Sequence, residues 1–192
     1  MKIQYFSKNY QKWIMKINFK KIQAAEIQLN EAIFLFFDKA NPVVIETLVG
    51  AAIGVLMPLG KKYGVEAFLH DSDYIKPEYK KLWINTIHKA QNFFKHADND
   101  LDDVLSYETD TLPFRIIEAC YLFRHIASNE CLKYRQSQSV VMFEIWFWLK
   151  YPHLLKDRAD TMKFLDSIGM PKSISIDDFE LLKLAAERFR IK

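Results

Sequence analysis

Glycine is scarce in this chain, five residues in 192, and proline adds only six. Sheet-rich folds need many tight turns, so strands are not expected to dominate. Cysteine is nearly absent. Cys120 and Cys131 form no CxxC and no Cys/His cluster, which excludes a disulfide framework and a structural zinc site and leaves two reduced, buried thiols. Long uninterrupted apolar runs are also missing: Glu46 and Pro58 fall within 43–59 and Glu144 within 140–149, so no membrane span is expected. The N-terminus has lysines but neither the apolar stretch nor the small-residue cleavage site of a signal peptide, which makes a cytoplasmic location the expectation. A net basic excess is missing from the bulk of the chain. Residues 1–21 carry six lysines and no acid, so with a total of +3 the rest sums to −3. Broad electrostatic capture of nucleic acid is thereby confined to the N-terminus.

What is present is apolar and helical in period. Half the residues are hydrophobic, and a chain of this length buries about 70% of its unfolded surface in one core, which predicts a single domain over 1–192. Ile22, Ala25, Leu29, Ala32, Ile33 and Phe36 recur at helical spacing and stop before Asn41-Pro42, a cap and first-turn proline. A second helix over 43–61 is apolar almost all round, with Gly50 and Gly54 open to close approach and Pro58 in its last turn. From Pro77, the residues Tyr79, Leu82, Trp83, Thr86, Ile87, Ala90, Phe94 and Ala97 predict the apolar stripe of a third helix, and a fourth runs from Pro113 to about Ser128. Further helices are expected over 140–149, 157–168 and 179–190. The fold class is all-α: a basic helix over 1–21, an antiparallel four-helix bundle over 22–130, and C-terminal helices over 131–192 packed on it.

Chemistry concentrates in one segment, Gln91-Asn92-Phe93-Phe94-Lys95-His96. Asn92 and His96 stand one helical turn apart, and on an ideal helix Asn85, His88, Asn92 and His96 fall within an arc of about 80°, able to line a groove. His88 and His96 alone cannot chelate a metal, because eight residues separate their α-carbons by about 12 Å. The order polar residue, Asn, three residues, His resembles the R-[N/D/H]-x-x-x-H signature of the HEPN superfamily, with Gln91 where the family has Arg. That resemblance covers about 22–130. It implies a dimer with His96, Asn92 and Gln91 as the catalytic set at the interface, cleaving RNA without metal or cofactor, or binding a nucleotide. A histidine near neutrality can activate the ribose 2′-hydroxyl, but the transition-state charge asks for a cation, which Gln91 lacks. Lys95, one turn on, is the nearest substitute, with His88, Asn85 and Glu46 as further candidates to bind ligand. The expectation is RNA or nucleotide binding with weak or lost ribonuclease activity.

Three other readings stay open. Glu46 is the only charge between Lys39 and Lys61, and Glu144 the only one between Arg135 and Lys150; each either pairs with a nearby cation or lines a pocket. As a carboxylate pair they would suit a small-molecule enzyme. The Lys8, Lys12, Lys16, Lys20 row, interleaved with aromatics, suits a nucleic acid, an anionic surface or an acidic partner. The surplus of apolar surface suits a homodimer, or an interaction module with no small-molecule chemistry.

Overall fold

The computed structural model describes residues 16–70, 76–96, 101–129, 137–151 and 154, and among these it contains five α-helices, a short 3-10 turn at Thr109–Thr111 and no strand. The helix α1, Lys21–Phe37, forms where the 3,4-spaced apolar set begins: Ile22, Ala25, Leu29, Ala32 and Ile33 are all buried. Upstream, residues 16–20 are not helical, in contrast to the basic helix expected over 1–21. Ile17 and Phe19 remain exposed there, so no packed face sustains another turn. Residues 1–15, with Lys8 and Lys12, lie outside the described residues; Lys16 and Lys20 are exposed.

The helix α2, Pro42–Lys62, starts with Asn41 accepting the Val43 N–H at 2.9 Å and Pro42 in the first turn. It ends in a Schellman pattern. Val65 donates to the Gly60 carbonyl at 2.9 Å, Gly64 donates to Lys61 at 3.3 Å, and Gly64 takes φ 68°, a conformation that glycine adopts without penalty. By length and apolarity α2 would pass as a membrane span. Yet Ile45, Val49, Ala52, Ile53 and Leu56 belong to one core cluster with buried residues of α1 and of the later helices, which explains its composition as that of a central helix. α2 packs mainly on α1 and on α4, Leu112–Asn129, which enters through a 3-10 turn at Thr109–Thr111. α5, Gln138–Lys150, lies against α1 and α4, where Phe36, Phe37, Phe143 and Trp146 meet edge to face or tilted, 5.0 to 6.1 Å between centroids. The helices expected over 157–168 and 179–190 lie outside the described residues.

The exception to tight packing is α3, Pro77–Lys95. It buries none of its residues, although its sequence is strongly amphipathic. Its half-buried side runs through Ile84, Ile87, His88, Gln91 and Phe94, while Tyr79, Leu82 and Trp83 are exposed at 57%, 65% and 37%. The expected apolar stripe is thus split. The helix is rotated so that polar His88 and Gln91 face the body and half of the stripe faces out.

Candidate functional site

That rotation has a visible cause in a buried polar cluster beneath α3. Arg115, in the first turns of α4, is buried at 4% exposure, where a guanidinium keeps its charge and needs acceptors. Its Nε donates to Glu46 Oε1 at 3.3 Å, and a terminal nitrogen donates to Gln91 Oε1 at 3.2 Å. The other terminal nitrogen lies 3.5 Å from His70 Nε2. Arginine can only donate, so His70 meets it with an unprotonated Nε2, and the ring proton belongs on Nδ1. Nδ1 lies 3.0 Å from Glu118 Oε2, but the pair is out of line for a hydrogen bond. Glu118 Oε1 accepts the Leu69 N–H at 2.7 Å, and the Leu69 carbonyl accepts from Trp83 Nε1 at 2.6 Å. Through this relay α4 fixes the 65–70 turn, and the turn fixes α3.

Glu46 is 1% exposed. Besides Arg115 it accepts from the Tyr107 hydroxyl at 3.2 Å. Burial raises its carboxyl above the ordinary value, with Arg115, then Tyr107, then Lys95 opposing that rise. Burial also pushes the Tyr107 hydroxyl up, reinforced by the neighbouring Glu46 charge. His88 is held below its ordinary value, first by burial and then by His70 and Arg115; a hydrogen bond with Gln91 works the other way. The His70 and His88 rings lie 4.8 Å apart. Gly50 is needed in this arrangement, since a Cβ there would stand 2.6 Å from Gln91 Cδ. A Cβ at Gly54 would meet nothing within 4 Å, so the close approach expected at both glycines occurs at one.

The residues singled out from the sequence divide into two groups. Gln91, His88 and Glu46 join the cluster with Arg115, a participant that sequence spacing did not bring forward. Its one signal in the chain was being the first Lys or Arg after Lys95, beyond six intervening Asp and Glu residues, on the first turns of a helix. Asn85, Asn92, Lys95 and His96 are exposed. His96 caps α3 at its C-terminal end, where its backbone N–H donates to the Asn92 carbonyl at 2.9 Å. So Gln91 points inward and does not share a surface with Asn92 and His96. The end of α3 is held by Phe94 against Tyr107, with ring centroids 5.5 Å apart.

Glu144 is buried too, away from this cluster. Its Oε1 lies 3.3 Å from Arg124 Nε, and burial raises its carboxyl while Arg124 opposes. Glu46 and Glu144 therefore have separate cation partners and do not form a carboxylate pair. Cys120 is buried, and burial pushes its thiol well up, which makes it a packing residue; Cys131 lies outside the described residues. Among the described residues no three His, Cys, Asp or Glu side chains group as a metal site. No family model, curated protein or solved structure matches this chain.

Proposed function

We propose that the protein acts as an HEPN-like helical homodimer, joined through the outer face of α3, that binds RNA or a nucleotide at the α3 end carrying Asn92, Lys95 and His96, with metal-independent cleavage feeble or lost. The observation that carries this reading is that α3 buries none of its residues in the single chain while presenting Tyr79, Leu82 and Trp83 to solvent. An amphipathic helix with an uncovered apolar face is incomplete alone, and a second copy offers a self-complementary partner. The α1 to α4 order supports the antiparallel bundle of that family. α2 and α3 run in opposite senses: Gly50 in the first half of α2 meets Gln91 in the second half of α3, Glu46 near the start of α2 feels Lys95 at the end of α3, and Trp83 reaches Leu69 beyond the end of α2.

The chemistry follows from which groups are free. Asn92 offers an amide, Lys95 a cation and His96 an imidazole to a phosphodiester. Arg115, whose guanidinium touches Gln91 of the motif, is occupied by Glu46, Gln91 and His70 and cannot turn to a phosphate without leaving Glu46 uncompensated. Binding with poor catalysis is the consequence.

Light scattering tests the assembly: the wild type should give twice the chain mass of 22.7 kDa, and Leu82→Glu, on an exposed position, should give the single mass. Binding of a short single-stranded RNA and of ATP should fall in His96→Ala and in Leu82→Glu. A monomeric wild type, or binding indifferent to both changes, would end this reading. A dimer that binds neither ligand establishes the second reading, an interaction module with no small-molecule chemistry, which the enclosure of Arg115 favours.

A further inference from the structure

On the side of α4 that faces α5, the fold leaves a groove of about 340 Å³, within the usual range for small-molecule sites. Phe68, Tyr121, Phe147 and Trp148 form aromatic walls, and the charged side chains on its lining are Arg124 and Glu144. Phe68 stands edge-on to Tyr121 at 5.6 Å, and Phe147 edge-on to Trp148 at 5.1 Å. The groove therefore combines an aromatic lining drawn from the 65–70 turn, α4 and α5 with one ion pair.

That pair is only half satisfied. The Arg124 Nε is buried and 3.3 Å from Glu144 Oε1, yet no aligned hydrogen bond forms between them. Glu144 is 5% exposed at its side chain and Arg124 41%, so the acid is set into the wall while the guanidinium reaches the mouth. The pair is neutral as a unit. A cationic ligand would set two cations on one carboxylate, and an anionic ligand two anions on one guanidinium. The chemistry that completes both partners is a neutral edge with an acceptor beside a donor: the acceptor takes Arg124 and the donor gives to Glu144.

We propose that this groove binds a neutral, planar heteroaromatic ring whose edge places a hydrogen-bond acceptor beside N–H donors, with guanine as its simplest representative. In that pose O6 accepts from Arg124, while the N1–H and the exocyclic amine donate to the Glu144 carboxylate. The ring lies between the aromatic walls, where stacking is favourable for any flat π system. The site is separate from the α3 end, and it does not depend on the reading given above for that helix.

The test titrates the full chain with guanosine, which has no phosphate for Lys95 or His96 to recognise, and follows tryptophan emission. Saturable quenching is expected, and it should vanish in Trp148→Phe because that indole lines the groove. Adenosine, which has an acceptor at N1, and 1-methylguanosine, which has lost the N1–H, should each bind at least about tenfold more weakly, the usual cost of an unmatched buried polar group. These ligand comparisons use unaltered protein, so they stand even if a groove variant folds poorly. Glu144→Gln should weaken guanosine binding by a similar factor, and His96→Ala should leave it unchanged. No saturable response at millimolar guanosine, equal binding of 1-methylguanosine, quenching that persists in Trp148→Phe, or loss of binding in His96→Ala would each overturn the proposal.

Discussion

Arg115→Met removes the charge at the centre of the polar cluster while keeping most of the side-chain length. Three acceptors lose their donor at once: Glu46 Oε1, Gln91 Oε1 and His70 Nε2. The largest consequence falls on Glu46, which is 1% exposed and, among the described residues, keeps the Tyr107 hydroxyl as its hydrogen-bond donor. Breaking a buried ion pair by removing one member typically costs about 3–5 kcal/mol. The two neutral acceptors add about 1 kcal/mol each, offset in part by the apolar contacts that Met makes. A loss of about 3–5 kcal/mol is therefore expected, and at about 2–4 °C per kcal/mol for a chain of this length the Tm should fall by roughly 6–20 °C. The deficit must depend on pH in a defined direction. The Glu46 carboxyl already sits above its ordinary value because of burial, with Arg115 the chief opposing influence. Without Arg115 it rises further. A raised carboxyl penalises the fold above its folded pKa and ceases to do so once it binds a proton, so the deficit should be largest near pH 8 and shrink toward pH 5. Pairing the change with Glu46→Gln removes the orphaned charge and should recover about 2 kcal/mol relative to the sum of the single variants. Urea unfolding followed by circular dichroism at both pH values measures all of this. A loss below about 1 kcal/mol, or strict additivity of the two substitutions, would refute the claim that Arg115 and Glu46 form one closed unit.

His88 lies below its ordinary value of 6.5 through burial and the nearby His70 and Arg115, so the fold prefers it neutral. Its contribution is present above about pH 6.5 and is lost as pH falls through the depressed value; hydrogen-exchange protection of the α3 amides should decline in that window. His88→Gln should remove this pH dependence, and an unchanged profile would show that another group titrates. Gln91→Arg should destabilise the protein by about 1–3 kcal/mol, because it replaces the acceptor that Arg115 uses with a like charge, in space bounded by Gly50. Thermal unfolding equal to the wild type, together with new RNA cleavage that His96→Ala abolishes, would show that residue 91 faces the α3 surface in solution.

Much of the fold was legible in the chain. The periodic set from Ile22, the Asn41-Pro42 start of α2, Pro77 at the first turn of α3 and Pro113 near the start of α4 place four helices close to where they form, because caps and prolines act on their own neighbours in sequence. The missing helix over 16–20 shows the limit of that logic: spacing alone cannot hold a turn whose apolar residues find nothing to pack against. The rotation of α3 shows it more sharply. Its sequence puts Trp83 and Leu82 on the apolar stripe and His88 and Gln91 with Asn92 and His96 in a candidate site, and local periodicity has no term for the partner surface. That surface presents Arg115, Glu46 and His70, brought together from positions up to 69 residues apart, and desolvated charge must be met by polar groups whatever the helix would bury alone. The isolation of Glu46 and Glu144 in the sequence did mark them as residues that need partners. Sequence determined where the helices begin and end, through short-range hydrogen bonds and apolar period. Only tertiary structure decided which cation answers each acid, which face of α3 turns inward, and that His96 stands apart from Gln91, because the cost of an unmatched buried charge depends on groups that meet only after the chain folds.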